Sequence, residues 1–311
     1  MKRFRDGDAP DQTGRVAVVT GATGGLGLQT AEMLAAHGAR VLVGSRNPER
    51  GALAIARVRA AGFGPAPELV DLDLSSLESV RLAAADIRRR TGDRLDLLIN
   101  NAGIMAPPLG FSPDGFETQW ATNVLGPAAL TWLLLPAMEA MPGSRVVFVS
   151  STRHARGQLD EARMRADLRG ENYRGFDYYG RTKLADLLLS HELERQLRQS
   201  DAETISVAAH PGFTATGIVD KGFAGLPPLL RPIANWGASA FGQPVELGAL
   251  PILYAATAPE VAGDDYFGPR GPLGLRGYPG RAARSAQSRD DELGRTIVRV
   301  AAEATGVDFG S

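Results

Sequence analysis

The 311-residue chain predicts one doubly wound α/β domain, a mainly parallel sheet of about seven strands flanked by helices. Three observations carry that prediction. Short apolar runs alternate with helical stretches along most of the chain. Those runs are apolar on successive residues, the pattern of strands covered on both faces. A glycine cluster stands between the first run and the first helix, where a doubly wound sheet places its tightest turn. Repeated β-α-β spacing then implies right-handed crossovers with helices on each side.

Taken in order, Arg15–Thr20 reads as a strand that runs into glycines, and Leu26–Ala36 as a helix stopped by Gly38. Arg40–Val43 is a second buried strand. Pro48–Ala61 is a helix with proline in its first turn, where the missing N–H costs nothing. Leu69–Leu72 is a weaker third strand, followed by a helix at Ser76–Arg90 with a serine cap. Leu95–Ile99 is the fourth strand. Gly115–Met141 is mostly helical, with Pro127 and Pro136 as irregularities or ends. Arg145–Val149 is the fifth strand, Tyr178–Gln199 a long amphipathic helix and Ile205–Ala209 the sixth strand. Residues 1–13 read as a polar tail and 14–311 as the domain, with an Arg-rich insertion at 152–177 and a segment at 211–243 rich in Pro, Gly and large apolar residues.

Composition excludes several functions. Lys and Arg number 34 against 35 Asp and Glu, so there is no charge excess to hold nucleic acid or an anionic membrane. The absence of cysteine removes disulfides, thiolate zinc sites, iron–sulfur clusters and a Cys nucleophile. Four scattered histidines, none at H-x-x-x-H spacing, predict no metal site. No run of about 18 apolar residues occurs. Val124–Leu135 comes nearest, but it is too short and contains Pro127. With a polar N-terminus the expectation is a cytoplasmic protein without a membrane span.

The motifs point to a dinucleotide. Thr20–Gly27 reads T-G-A-T-G-G-L-G, with Thr23, Gly24 and Leu26 between the spaced glycines. Gly21 permits a tight turn, Gly25 lets backbone approach a pyrophosphate, and Gly27 lets helix pack on sheet. The helix that follows offers free N–H groups and a positive dipole end to phosphate. A plain tight turn is the alternative use of such a cluster. At the end of the second strand, an NAD site commonly carries a carboxylate for the ribose 2′-hydroxyl. Here Ser45 and Arg46 stand there, and a guanidinium suits a 2′-phosphate, so NADP(H) is expected over NAD(H). Further on, Tyr179 and Lys183 sit four apart, on one helical face. A nearby ammonium stabilises phenolate, and such a tyrosine can give a proton to a reduced carbonyl or take one from an alcohol. Tyr178 is roughly 100° of rotation off that face.

At these residues the sequence resembles the short-chain dehydrogenase/reductase family. The glycine loop matches its T-G-x-x-x-G-x-G, and Asn100, Asn101, Ala102 and Gly103 match its N-N-A-G. Asn123, Ser151, Tyr179 and Lys183 match its Asn-Ser-Tyr-Lys tetrad, and Pro211, Gly212 and Thr216 its P-G-x-x-x-T. The match spans about residues 14–270. N-N-A-G-I-M-A-P, D-G-F-E-T-Q-W-A-T-N and Y-Y-G-R-T-K-L-A-D are similar to the retinol-dehydrogenase-like and protochlorophyllide-reductase-like branch, including many bacterial oxidoreductases. The long interval from Ser151 to Tyr179 fits that branch. Val124 and Pro127 stand where related sequences often have histidine, so the substrate pocket is expected to differ.

The resemblance implies a Rossmann-type fold and roles for single residues. Tyr179 would be the acid/base, Lys183 would hold the nicotinamide ribose, and Ser151 rather than Ser150 would bond the substrate oxygen. Asn123 would hold a water linking Lys183 to solvent. Asp73 and Leu74 would contact adenine, Asn101, Ala102 and Gly103 would line the adenosine side, and the loop with Pro211, Gly212, Thr214 and Thr216 would meet the carboxamide. Residues 211–243 would form a lid whose Phe213, Phe223, Trp236 and Phe241 suit a lipophilic carbonyl or alcohol. The arginines of the insertion are offset by acids and read as a solvated surface. The T-G-A-T-G opening also resembles extended, epimerase-like relatives. The expected function is therefore NADP(H)-dependent hydride transfer. An epimerase or dehydratase using its cofactor transiently, or a non-catalytic NADP-binding regulator, are the alternatives. Many relatives are dimers or tetramers, and assembly stays open.

Overall fold

Eight strands form one sheet: β1 (Val16–Thr20), β2 (Arg40–Ser45), β3 (Glu68–Asp71), β4 (Leu97–Asn100), β5 (Arg145–Val149), β6 (Ile205–Ala209), β7 (Tyr266–Pro269) and β8 (Pro279–Arg281). The computed structural model describes residues 3–214 and 242–309. Strand order is β3-β2-β1-β4-β5-β6-β7-β8. The first seven strands run parallel, and β8 returns antiparallel to β7. The chain winds outward from β1 to β3, then crosses to the other side of β1 to begin β4. That reversal opens a crevice at the carboxyl ends of β1 and β4, the place where such sheets bind ligands.

The all-apolar runs fold as expected because both sheet faces are covered. Val18, Leu42, Leu98, Val146 and Phe148 face one core, while Ala17, Val19, Val41, Ile99 and Val147 face the other. Adjacent residues thus point to opposite layers. The second layer holds α1 (Gly25–Ala36), α2 (Pro48–Ala61) and α7 (Val245–Thr257). The first holds α3 (Leu77–Thr91), α4 (Thr118–Glu139), α5 (Glu161–Leu168), α6 (Gly175–Gln199) and α8 (Asp291–Thr305).

Local chemistry sets the helix ends. Asn47 accepts from Arg50 N ahead of Pro48, and Ser76 accepts from Ser79 N. Gly92 closes α3 in the left-handed conformation. The helix expected from Gly115 begins at Thr118 instead, because the buried Glu117 carboxylate accepts from Gln119 N and Trp120 N. Its Ala121–Leu125 turn is a π turn just before Pro127, which has no N–H to continue the regular ladder. Pro136 lies inside the same helix. Among the described residues, α4 is the one helix long and apolar enough to cross a membrane by length and composition, and 78% of its apolar window is buried inside the fold.

Two regions differ from the sequence reading. The helix expected from Tyr178 begins at Gly175, and the insertion before it contains α5, capped by Asp160. Two of the arginines here are paired: Arg165 with Glu161 and Glu303, and Arg169 with Glu171. The N-terminal segment also packs, with Phe4 edge-on to Tyr254 at 4.9 Å and Gln12 N bonded to His37 O.

Candidate active site

The glycine loop leaves β1 at Gly21, where φ is +65° and a Cβ would come within 2.9 Å of Ala102 Cα. Gly25 also has positive φ. A Cβ on Gly27 would sit 2.6 Å from Gly21 O and collide with Asn101 Nδ2. Only a bare backbone fits these two approaches. The loops after β1 and β4 are stitched together by Thr20, whose hydroxyl accepts from Asn101 N and Ala102 N. Asn101 Nδ2 returns a bond to Thr20 O at 2.8 Å. No side chain caps α1 at Gly24, so its first amides face the crevice. This cradle, on the first turn of a 12-residue helix, fits a pyrophosphate. Thr23 and Gly24 lie at its rim, whereas Leu26 is buried in the core beneath it.

The second corner of the crevice is polar and open. Arg46 is 68% exposed and reaches Asp73 Oδ2 at 3.5 Å. Burial pushes the Asp73 carboxyl up, but bonds from Ser75 and the charge of Arg46 outweigh it, so its pKa lies below the ordinary value. Ser45 spends its hydroxyl on Asn47 N and O, which shapes the turn. Leu74 is buried, and its carbonyl adjoins Gly126 of α4. Arg50 was not anticipated. Its guanidinium lies 3.7 Å from where a Gly24 Cβ would be, so a second cation flanks the glycine loop. Its one signal in the sequence is a second basic residue in the first turn of the helix that follows Arg46.

The third corner is buried. Phe176, Tyr179, Lys183 and Asp186 fall on one stripe of α6. Lys183 Nζ lies 5.8 Å from the Tyr179 ring centroid and donates to Val149 O at 3.0 Å and Asp186 Oδ2 at 2.8 Å. A Cβ on Gly103 would stand 3.4 Å from both Lys183 Nζ and Asn123 Oδ1, so glycine there opens the floor of the site. Asn123 binds Ile104 through both N and O and donates to Thr182 Oγ1, clamping the loop after β4 to α6. The Tyr179 hydroxyl has no hydrogen-bond partner among the described residues.

The two neighbouring pairs resolve as the face argument requires. Tyr178 is fully buried, donates to Glu171 O and carries the Arg181 guanidinium over its ring at 4.7 Å. Ser150 is buried and donates to Lys183 O at 2.7 Å. Ser151 is partly exposed just beyond β5 and accepts from Arg153 N, which leaves its own proton free. The turn it begins packs on α6 at Gly180, where a Cβ would meet Arg153 O at 3.2 Å, beside Tyr179.

Beyond β6, Gly212 adopts φ +70° and Thr214 donates to Pro211 O. Thr214 also covers Gly248 of α7. Gln243 ties the far end of this segment to its start: its backbone N bonds Phe213 O, and its amide bonds Pro211 O and Gly277 N. The sequence carries no signal for that clamp. Thr216 and the expected lid residues from Phe223 to Phe241 lie outside the described residues. His210, just before Pro211, is buried, and desolvation pushes its pKa down to about 4, so it is neutral.

A family model described as short chain dehydrogenase matches residues 15–162. The chain is 37% identical to a polyprenol dehydrogenase of Mus musculus, over 99% of this chain and 88% of that protein. It is 38% identical to retinol dehydrogenase 14 of Homo sapiens, over 86% and 82%. The fold is similar, with a TM-score of 0.79 and 32% identity, to the crystal structure of an uncharacterised protein from Mycobacterium paratuberculosis, covering 100% of both chains.

Proposed function

Because the chain belongs to the short-chain dehydrogenase/reductase family of oxidoreductases, we propose that it moves a hydride between NADP(H) and a lipophilic carbonyl or alcohol, with Tyr179 as general acid/base. The observation that carries this reading is the stripe on α6. It brings a phenol and a buried ammonium to the floor opened by Gly103, at the switch point where a dinucleotide fits.

The nicotinamide cofactor supplies or accepts the hydride when bound. The residues of this chain do the rest. In the reducing direction, Tyr179 gives its proton to the carbonyl oxygen, and Ser151 donates a second hydrogen bond to the same atom. Lys183 faces Tyr179 and stabilises the phenolate left behind. The uncapped amides of α1 and the glycine cradle hold the pyrophosphate. Arg46 and Arg50, with no carboxylate at the end of β2, support preference for a 2′-phosphate. The lipophilic substrate is supported by the names of the relatives, retinol and polyprenol dehydrogenases, and by exposed Leu109 and Phe111 on the loop that follows Gly103 and exposed Phe176 in the first turn of α6.

The test is a spectrophotometric screen of NADPH and NADH against retinoid and prenoid aldehydes, aliphatic ketones and small sugars. The expected result is turnover of the lipophilic compounds with kcat/KM at least about tenfold higher for NADPH. Tyr179→Phe should lower kcat by about 100-fold or more. Turnover of sugars alone, or a Tyr179→Phe enzyme as fast as the parent, would overturn the proposal.

A further inference from the structure

The carboxylate of Asp186 takes no part in the reaction as described, yet it is bonded to a residue that does. It lies three positions beyond Lys183 on α6, 2.8 Å from Nζ, with the two side chains 4% and 6% exposed. An ammonium has three donors. One goes to Asp186 and a second to Val149 O, both away from the crevice. The third is left on the side of Gly103, Asn123 and Tyr179.

We infer that Asp186 is a positioning residue that tethers the Lys183 ammonium from behind, keeps it charged, and leaves one N–H and a damped positive field facing Tyr179. The inference rests on Tyr179 and Lys183 being the reacting pair. An ammonium buried without a counter-charge sheds its proton, because the low-dielectric interior disfavours the charged form. Asp186 opposes this: desolvation pulls the Lys183 pKa down, and the attraction of Asp186, joined by that of Tyr179, outweighs it, so the ammonium is held above its ordinary value. Burial in turn pushes the Asp186 carboxyl up to about 6, so the tether is charged at neutral pH and protonates below that.

The surroundings offer no substitute. From α6 itself the facing titratable group is Tyr179. From β7 it is Tyr266, buried beside Ser150 and within reach of the charges of Asp186, Tyr179 and Arg284. Arg284 donates to Leu187 O and is paired with Asp264. His154 and His210 pack on the Tyr266 ring, and desolvation holds both below the ordinary histidine value. From β5 and α4 come only the uncharged Ser150 and Asn123. Among the described residues, Asp186 is the one carboxylate within hydrogen-bond distance of Lys183.

The experiment is the pH dependence of kcat/KM with NADP(H) and the best substrate of the screen, for the parent protein and Asp186→Asn. The amide keeps the shape and the acceptor but removes the charge. Loss of a negative charge beside the ammonium makes the Tyr179–Lys183 pair release its first proton more readily, whichever member gives it up. The midpoint should fall by about one pH unit or more. A midpoint that stays or rises, even with a lower melting temperature, overturns the inference and leaves Asp186 a packing residue. Should the amide not fold, Asp186→Glu answers the same question: the parent midpoint with a lowered kcat supports the tether, and a midpoint displaced by about a unit, or a parent-like kcat, sinks it. Tyr179→Phe separates the two levels. If that variant is fully active, the reaction itself has been misread. If it is dead while Asp186→Asn keeps the parent profile, only the role of Asp186 fails.

Discussion

The corner around Arg46 and the corner around Lys183 both hold a cation near a carboxylate, and they could hardly be more different. Arg46 meets Asp73 at 3.5 Å with the guanidinium 68% exposed. Lys183 meets Asp186 at 2.8 Å with both groups almost sealed from water. In the first, solvent and salt screen the pair and its net worth is small. A phosphate can therefore take Arg46 from Asp73 at little cost. In the second, removing one partner strands a buried charge, so the geometry persists. The lesson is that the open corner is built to exchange partners and the sealed one to keep them.

Four changes break or sharpen that contrast. The largest effect is expected from Gly27→Ala, because the new methyl would meet Gly21 O and Asn101 Nδ2 at the base of the cradle. NADPH affinity, read by fluorescence titration, should fall by about 100-fold or more, on the order of 3 kcal/mol. Unaltered affinity would mean the loop does not hold phosphate. Next comes acid sensitivity on the sealed side. His210 has its pKa pushed down to about 4 by desolvation. Between that value and the unfolded 6.5, the unfolded chain binds the extra proton, so the contribution to stability is full above pH 6.5 and is lost as pH falls toward 4. The difference is about 3 kcal/mol at most, and His210→Asn should flatten the dependence of the melting temperature on pH across that window.

A smaller change belongs to the open corner. Arg46→Ala and Arg50→Ala should each raise the KM for NADPH about tenfold, leave that for NADH in place, and reduce the loss of NADPH affinity caused by added salt. Equal effects on both cofactors would refute a 2′-phosphate contact. The smallest belongs to neither corner. Arg169→Ala removes an exposed pair with Glu171, 61% and 47% exposed, and should move stability by no more than about 0.5 kcal/mol in chemical denaturation. A larger loss would show that the insertion leans on that contact.

Much of the fold was legible because its signals are local. Six strands, the α3 cap, the start of α2 at its proline and the glycine loop depend on neighbours within a few residues, and the structure places them close to where the pattern does. The choice of Tyr179 over Tyr178 followed from helical periodicity, whereas strand alternation showed only that one of Ser150 and Ser151 reaches the cleft, and the family resemblance picked Ser151. Strand β8 was not legible: three residues beginning with proline carry no period, and only pairing with β7 makes them a strand. Gln243 and Arg50 escaped for a related reason, since their partners lie across the fold.

What the chain by itself determined is the alternation of elements, the membership of both cores and the types of group that can do chemistry. These follow from side-chain period and from which residues tolerate a tight turn. What only the tertiary structure decided is partnership. Asp186 is an ordinary helical acid until α6 is laid against β5 and β6, where water is excluded and the nearest cation is Lys183. Burial sets the strength of that contact, and burial is a property of the packed molecule that no stretch of sequence contains.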